Sequence, residues 1–287
     1  NPTPTLSTVA LAKVEHPTPN TYMPYFKNSE ANIYYELHGS GPIILMLAGM
    51  ASDSKSWQFI LPYMIKHYRL IVFDNRGCGR TETNGKSFDL KNLAKDAFGL
   101  LEYLKYDKVH VIGHSMGGMI AQEMALMQAE KIDKLVLASS SPKLSDKAKT
   151  ILYDLYDKWL KGYDMADWFR IMFQWLFTKE ALSNKKFMDA AIIFALAYPY
   201  PQTLESFKRQ VDVITSFDAV DRIRQIMHTT LIMSGQEDIL IPPEESKALL
   251  NIGGPTEFKL IEHAAHSIHA EQPEAFVKAV QEFLEEQ

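Results

Sequence analysis

The chain has 287 residues, a formal net charge of −5 and 46% hydrophobic residues, which is ordinary for a globular protein. It contains no basic block and no apolar run of membrane-spanning length, so we expect neither a nucleic-acid partner nor a membrane span. The single cysteine, Cys78, excludes a disulfide within the chain and favours a reducing, cytoplasmic location.

The N-terminal segment differs in composition from the rest of the chain. Residues 1–25 are rich in proline and threonine and show no hydrophobic periodicity, so they predict an extended arm and not a signal peptide. Because the chain begins with Asn1 and not with methionine, we expect that an upstream segment was cleaved or left out.

Beyond the arm, short apolar segments alternate with segments of helical periodicity. The first apolar segment alternates in polarity, whereas later ones are continuous, as in strands buried on both faces. The predicted strands are residues 33–38, 43–47, 70–73, 109–112, 135–137, 230–233 and 258–261. The predicted helices are residues 56–66, 90–104, 116–128 and 273–285. This alternation predicts an α/β fold in which helices cover both faces of a mostly parallel sheet.

Residues 145–227 interrupt the alternation, because they have helical periodicity and many aromatic residues but no convincing strand. Ordinary helices packed on the core would explain this pattern, and so would a helical cap inserted between core strands 6 and 7. We favour the cap because the alternation resumes at Thr229, and because ligands of such sheets bind at the strand ends that it would cover. The predicted domains are a core of residues 26–144 and 228–287 and a cap of residues 145–227.

The motif Gly-His-Ser-Met-Gly at residues 113–117 lies between a predicted strand and a predicted helix. A G-x-S-x-G sequence in this context is typical of a nucleophile elbow, in which Ser115 occupies the tip of a strained turn. The two glycines are needed because the strand and the helix pass close together there. A simpler interpretation is a glycine-rich turn whose serine caps the helix.

A nucleophilic serine needs a histidine base and a carboxylate that orients this base. Asp238 lies in the loop after the predicted strand 230–233 and is preferred over Glu237, which we expect to be a solvated surface residue. The alternative interpretation of Asp238 is a plain turn residue before Pro242.

Three histidines follow the predicted strand 258–261. Their spacing from the strand favours His266 as the base, while we expect His269 to pack beneath the site and His263 to lie on the surface. A metal site formed by these histidines is a further alternative, although no fourth-ligand pattern accompanies them.

Two backbone N–H groups are expected to bind a developing oxyanion. Met116 supplies one, as the residue after the serine, and Met50 supplies the other, from the loop after the predicted strand 43–47. The residues that we expect to contact the substrate are Gly49, His114, Phe173 and Trp175.

Four motifs together resemble the α/β-hydrolase fold superfamily, in its capped branch of serine esterases and enol-lactonases. Besides the elbow, residues 73–81 resemble the D-x-R-G-x-G-x-S loop, residues 235–238 resemble G-x-x-D, and residues 265–274 resemble GH-x-x-H-x-E-x-P-E. The resemblance extends from about residue 33 to the C-terminus. It implies that His266, the first histidine of its run, is the catalytic one.

The chain departs from the family pattern at two positions. Ala48 stands where the family often has a histidine, so the packing beside the oxyanion donors is expected to differ. Ala265 stands where the family has a glycine, which requires a negative φ at this residue. In the loop 73–81, Arg76 is expected to brace the structure and not to take part in chemistry.

The predicted function is hydrolysis of a small-to-medium carboxylic ester by a Ser115–His266–Asp238 triad through an acyl-enzyme. The resemblance leaves enol-lactone hydrolysis, carbon–carbon bond hydrolysis and perhydrolysis open on the same triad. A ligand-binding or sensing protein that keeps the fold is an alternative of another class. We expect a small-molecule ester or lactone as the partner and no cofactor or metal, and the sequence predicts no oligomeric state.

Overall fold

The computed structural model describes residues 24–286 and is organised around a nine-stranded sheet. The strands are β1 (Tyr25–Lys27), β2 (Ala31–His38), β3 (Ile43–Leu47), β4 (Arg69–Phe73), β5 (Glu82–Thr83), β6 (Val109–His114), β7 (Ile132–Ala138), β8 (Thr230–Gly235) and β9 (Thr256–Ile261). Their spatial order is β1-β2-β4-β3-β6-β7-β8-β9, with β5 beside β2. β2 pairs antiparallel with β1, β4 and β5, and the other neighbours pair in parallel. The predicted mostly parallel sheet is confirmed.

Helices flank this sheet. They are α1 (Leu61–Met64), α2 (Leu90–Tyr103), α3 (Met116–Met127), α4 (Asp146–Leu160), α5 (Met165–Phe173), α6 (Lys179–Ser183), α7 (Lys185–Leu196), α8 (Leu204–Ser216), α9 (Pro243–Ser246), α10 (Ile268–Glu271) and α11 (Pro273–Glu285). Short 3-10 helices span Ser54–Phe59, Ala129–Lys131, Ile223–Gln225 and Lys247–Asn251. Within residues 24–286, no helix is both long enough and apolar enough to cross a membrane.

The predicted helix 56–66 is wrong as a single element. The chain forms the 3-10 helix Ser54–Phe59 and then starts again as α1, with Pro62 in the first turn. A proline has no N–H to donate and its ring crowds the preceding turn, so a continuous helix cannot pass through this position. The other predicted helices agree with α2, α3 and α11 to within about one residue.

Both faces of the sheet are buried, and β3 shows how its sequence produces this. Leu45 and Leu47 belong to a hydrophobic cluster that also contains buried residues of α2 and α3. Ile44 and Met46 belong to a second cluster, which contains buried residues of α1 and α11. Because successive side chains of a strand point to opposite faces, a continuous apolar run is what this two-sided burial requires.

Helices α4 to α8 occupy the chain between β7 and β8. Each begins at a polar residue whose side chain accepts a hydrogen bond from a backbone N–H of the first turn. These residues are Ser145, Asp164, Thr178, Asn184 and Thr203. Buried residues of α4, α5 and α8 contribute to the same hydrophobic cluster as α2 and α3, where the rings of Trp168 and Phe207 lie 5.4 Å apart.

The predicted N-terminal arm, residues 1–25, lies almost entirely outside the described residues. Its last residue, Tyr25, begins β1 and pairs with Tyr34 of β2. Neither β1 nor β5 was predicted, because strands of three and two residues are too short to show a hydrophobic pattern.

Candidate active site

Ser115 lies at the sharp turn between β6 and α3 and has a strained backbone, with φ 54° and ψ −118°. A Cβ at Gly113 would overlap the carbonyl oxygen of Gly117, and a Cβ at Gly117 would overlap that of Leu47. Only glycine fits at these two positions, as the elbow motif predicts. The Ser115 side chain makes no helix-capping hydrogen bond, so the helix-cap interpretation does not describe this serine.

Ser115, His266 and Asp238 form a continuous hydrogen-bonded chain. Ser115 Oγ lies 2.9 Å from His266 Nε2, and His266 Nδ1 lies 2.8 Å from Asp238 Oδ2. Because an ionised carboxylate can only accept, the histidine proton is on Nδ1, and Nε2 is free to accept the serine proton. His266 and Asp238 are both buried.

The carboxylate of Asp238 is also held by its own loop. Its Oδ1 accepts the backbone N–H groups of Leu240 at 3.0 Å and Ile241 at 2.9 Å. Asp238 is therefore both a turn residue and a partner of His266, so the two interpretations of its role coexist. Its neighbour Glu237 is exposed, as predicted.

Parallel pairing brings these side chains to one edge of the sheet. Gly235 at the end of β8 pairs with Ile261 at the end of β9, and the following loops carry Asp238 and His266. Ser115 follows β6 on the same edge, where its N–H donates to Ala138 O at the end of β7. The carboxyl ends of parallel strands are where open α/β sheets bind ligands.

The loop after β3 runs against the serine turn. A Cβ at Gly49 would lie 3.3 Å from Ser115 Cβ, so the backbone that leads to Met50 passes beside the serine. Met116 is the first residue of α3, and the N–H of such a residue has no acceptor within its own helix. Asn75 Nδ2 donates to Ala48 O at 3.1 Å and supports the loop where the family histidine is missing.

His114 and His269 are buried beneath the reacting groups, with ring centroids 4.5 Å apart. Burial, with the nearby histidines, holds the pKa of His114 well below its usual value, and its Nε2–H donates to His266 O at 2.8 Å. Burial, and then His266, lowers the pKa of His269 to about 3. The His269 ring lies 4.9 Å from that of Trp57, which agrees with its predicted packing role.

The three histidines after β9 do not meet as metal ligands. His263 is exposed, His266 is engaged with Ser115 and Asp238, and His269 packs among aromatic rings. Within residues 24–286, no group of three or more His, Cys, Asp or Glu side chains is arranged to hold a metal ion.

Two buried ionic groups brace the loops around the site. Arg76 donates to Asp96 at 2.5 and 2.8 Å and to Glu30 at 2.9 Å, which is the bracing role that the sequence predicts. Glu271 accepts the N–H groups of Ala265 at 2.8 Å and Thr178 at 2.9 Å. Sequence reasoning assigned no role to Glu271, although it lies within the motif 265–274.

Ala265 is not among the positive-φ residues of the described chain, as expected.

A cavity of about 1750 Å³ opens onto Ser115 and His266. Ligand pockets commonly have volumes of about 300–1,000 Å³, so this cavity exceeds the small-to-medium pocket expected from the sequence. Its walls come from the loop after β3, from helices α4, α5, α7 and α8 and from the loop after β9 that carries His266. The lining includes the four residues proposed from the sequence to contact substrate, which are Gly49, His114, Phe173 and Trp175.

A mostly parallel sheet with a strained serine turn after a central strand is the architecture of an α/β hydrolase. The sequence profile of the alpha/beta hydrolase fold family matches residues 42–273, and this chain belongs to that family. Because one fold supports many chemistries, membership defines a hydrolase class and leaves the substrate to be argued from the site.

Three proteins similar to this chain illustrate the range of chemistry in the family. RutD of Agrobacterium fabrum, which bears the provisional name carbamate hydrolase, is 26% identical over 264 residues, covering 88% of this chain and 98% of RutD. The 2-hydroxy-6-oxo-2,4-heptadienoate hydrolase of Pseudomonas putida is 26% identical over 266 residues, covering 86% and 87%. The crystal structure of the enol-lactonase from Burkholderia xenovorans LB400 has a TM-score of 0.82 and 22% identity, covering 92% and 100%. This last similarity shows the fold alone.

Proposed function

We propose that this protein is a serine hydrolase that cleaves an uncharged carboxylic ester through an acyl-enzyme intermediate. The observation that carries the proposal is the chain from Ser115 through His266 to Asp238, with distances of 2.9 and 2.8 Å. Both lie within the hydrogen-bond range that general acid–base catalysis requires.

The proposed reaction has two steps. Ser115 Oγ attacks the ester carbonyl carbon while His266 Nε2 takes the hydroxyl proton, and this proton then passes to the departing alcohol. Asp238 keeps the proton on Nδ1 and stabilises the imidazolium that forms. In the second step, His266 deprotonates a water molecule that attacks the acyl-enzyme, and the proton then passes from His266 to Ser115 Oγ as the acid is released.

The backbone N–H groups of Met50 and Met116 are assigned to the oxyanion of each tetrahedral intermediate. Met116 N–H has no acceptor within α3, and the chain that leads to Met50 passes beside Ser115. Each such donor lowers the activation free energy by about 3 kcal/mol. Because the donors belong to the backbone, their side chains remain free to line the cavity.

The wall of the cavity supports a substrate with a bulky apolar group. Part of it is formed by buried apolar residues of α4, α5 and the loop before α4, which are Leu144, Ile151, Leu152, Leu155 and Trp168. Each methylene group buried against such a wall contributes about 0.8 kcal/mol to binding. We assign residues 145–227 as a cap that supplies this wall, and residues 26–144 and 228–287 as the core that carries the reacting groups.

The charges around the cavity favour an uncharged substrate. Among the described residues that line it, the lysines and arginines are Lys55 and Lys186, and both are exposed. A carboxylate in a dry site needs a paired cation, and the dienoate named for the Pseudomonas putida relative is such an anion. We therefore prefer esters over anionic carbon–carbon substrates, while an uncharged lactone fits the same geometry.

The test is a series of p-nitrophenyl esters from acetate to palmitate, assayed with the wild type and Ser115→Ala. We expect the variant to lose at least about 10³-fold in kcat and the wild type to prefer an acyl chain longer than acetate. Circular dichroism and thermal melting check that the variant is folded. Equal rates for the two proteins across the series would overturn the proposal, and a ligand-induced rise in Tm without turnover would then favour a binding protein.

A further inference from the structure

Gln210 of α8 connects the helical segment between β7 and β8 to the loop after β3. Its side chain is 0% exposed, and no sequence motif includes it. Its Nε2 donates to Arg76 O at 2.9 Å, and its Oε1 accepts the N–H of Ala51 at 3.0 Å. Because a backbone N–H can only donate and a carbonyl can only accept, these partners determine which end of the amide is the oxygen.

Ala51 directly follows Met50, the residue assigned as an oxyanion donor, and has a φ of 56°. A residue with a Cβ rarely adopts this conformation, so it persists only where neighbouring contacts impose it. A planar trans peptide joins Met50 to Ala51, so holding the Ala51 N–H also fixes the direction of the Met50 carbonyl. The bond from Gln210 therefore holds the peptide plane next to the proposed donor.

A second amide side chain extends this contact. Gln202, between α7 and α8, donates from Nε2 to Gln210 Oε1 at 3.0 Å and to Gly77 O at 2.8 Å. The loops at Met50 and Gly77 are thus attached to the helical segment by hydrogen bonds and not by apolar packing alone. Loss of the Gln210 amide would remove the hydrogen-bond partner of the half-buried Ala51 N–H and of the buried Arg76 C=O.

We propose that Gln210 is a positioning residue that holds the Met50–Ala51 peptide in the orientation in which Met50 N–H serves the oxyanion. The inference rests on the proposed function. It gives the helical segment between β7 and β8 a second role besides forming the cavity wall, because Gln210 on α8 orients a backbone N–H that acts in the transition state.

The experiment compares three variants of the full chain in kcat and KM for the best p-nitrophenyl ester. Gln210→Met keeps the side-chain length but removes both hydrogen bonds, and Gln210→Glu keeps an acceptor for Ala51 N–H. Val213→Ala is the control, because Val213 is buried in the same helix at 5% exposure and lies outside the cavity lining. We expect Gln210→Met to lose about 10- to 100-fold in kcat with KM within about threefold, because the missing contact serves the transition state.

The remaining outcomes separate the inference from the proposed function. Gln210→Glu should retain several-fold more kcat than Gln210→Met, and Val213→Ala should stay within about twofold of the wild type. Equal kcat for Gln210→Met and Val213→Ala, or no advantage of Glu over Met, would overturn the inference alone. Absence of Ser115-dependent turnover in the wild type would overturn the proposed function and this inference with it. If Gln210→Met melts below the assay temperature, Gln210→Asn, which is too short to make both bonds, replaces it.

Discussion

At the scale of single residues, the neighbours Glu237 and Asp238 show how the backbone decides which carboxylate meets the histidine. Asp238 is 3% exposed and uses its two oxygens for different partners, the loop N–H groups and His266. Glu237 is exposed and is not among the residues that line the cavity. The two side chains differ by one methylene group, so their environment and not their chemistry separates their roles.

Substitutions at Asp238 and at its neighbour Glu237 test whether the Asp238 carboxylate orients His266. Asp238→Asn keeps the shape of the side chain but removes the negative charge that fixes the Nδ1–H tautomer of His266. We expect kcat for p-nitrophenyl esters to fall by about 10³- to 10⁴-fold, whereas Glu237→Gln stays within about twofold of the wild type. A kcat for Asp238→Asn close to that of the wild type, measured with folding verified by thermal melting, would show that this carboxylate does not orient the base.

At the scale of elements, the loop that carries His266 is attached by hydrogen bonds to the helical segment between β7 and β8. Glu271 of α10 accepts one hydrogen bond from the N–H of Ala265, directly before His266, and another from the N–H of Thr178, the N-cap residue of α6. Ser267 N–H also donates to Leu176 O at 3.0 Å. Burial raises the pKa of Glu271, and the two N–H groups partly compensate for its buried charge. A displacement of α6 would therefore displace the residue before the base.

Glu271→Gln tests this attachment with almost no change of shape. The variant replaces one accepting oxygen by an NH₂ group that faces a backbone N–H, so one of the two bonds is lost. We expect the free energy of unfolding to fall by about 1–3 kcal/mol and kcat to fall by about 10-fold. Urea unfolding and ester hydrolysis measure the two effects. Glu262→Gln, at an exposed position outside the cavity lining, is the control and should change neither.

The central strands β3, β4, β6, β7 and β8 were predictable because each carries a run that is buried, and therefore apolar, on both faces. The run 43–47 coincides with β3, whose residues alternate between the two hydrophobic clusters. The division of the predicted helix 56–66 into two elements at Ile60 was not predictable from periodicity, because the hydrophobic pattern continues across Pro62. Gln210 also escaped prediction, because a single glutamine in a helix has no pattern and its partners lie 134 and 159 positions away.

At the scale of the whole molecule, the candidate site rests on two buried histidines, His114 and His269, that lie against the second hydrophobic cluster. His269 packs between Trp57 and Phe276, with centroid distances of 4.9 and 6.2 Å, and both aromatic residues belong to that cluster. The His114 ring lies 4.5 Å from that of His269 and 6.5 Å from that of Trp57, and its Nε2–H donates to His266 O. The three residues of the hydrogen-bonded chain, Ser115, His266 and Asp238, were located from motifs, and their proposed roles remain predictions. The packing of His114 and His269 beneath these residues was predictable only in part, because the sequence does not indicate whether a histidine is buried.

The buried histidines should make the stability of the molecule depend on pH. In the unfolded chain a histidine has a pKa of about 6.5, whereas folding lowers the pKa of His269 to about 3 and that of His114 well below its usual value. As the pH falls below about 6.5, protons bind to these residues only in the unfolded chain, so the free energy of unfolding decreases. Each histidine contributes a loss of about 1.4 kcal/mol per pH unit, until the pH reaches its folded-state pKa.

Urea unfolding at about pH 7.5, 6 and 5 measures this dependence. His269→Phe removes one titrating group and keeps an aromatic ring beside Trp57, so between about pH 6.5 and 5 we expect it to lose about 2 kcal/mol less than the wild type. His67→Gln, at an exposed position, should retain the full dependence. Differences between each variant and the wild type cancel the contributions of buried carboxylates such as Glu271, which are common to all. Equal pH dependence in His269→Phe and the wild type would mean that His269 is protonated in the folded molecule at about pH 5, and that its burial among aromatic rings does not keep it neutral.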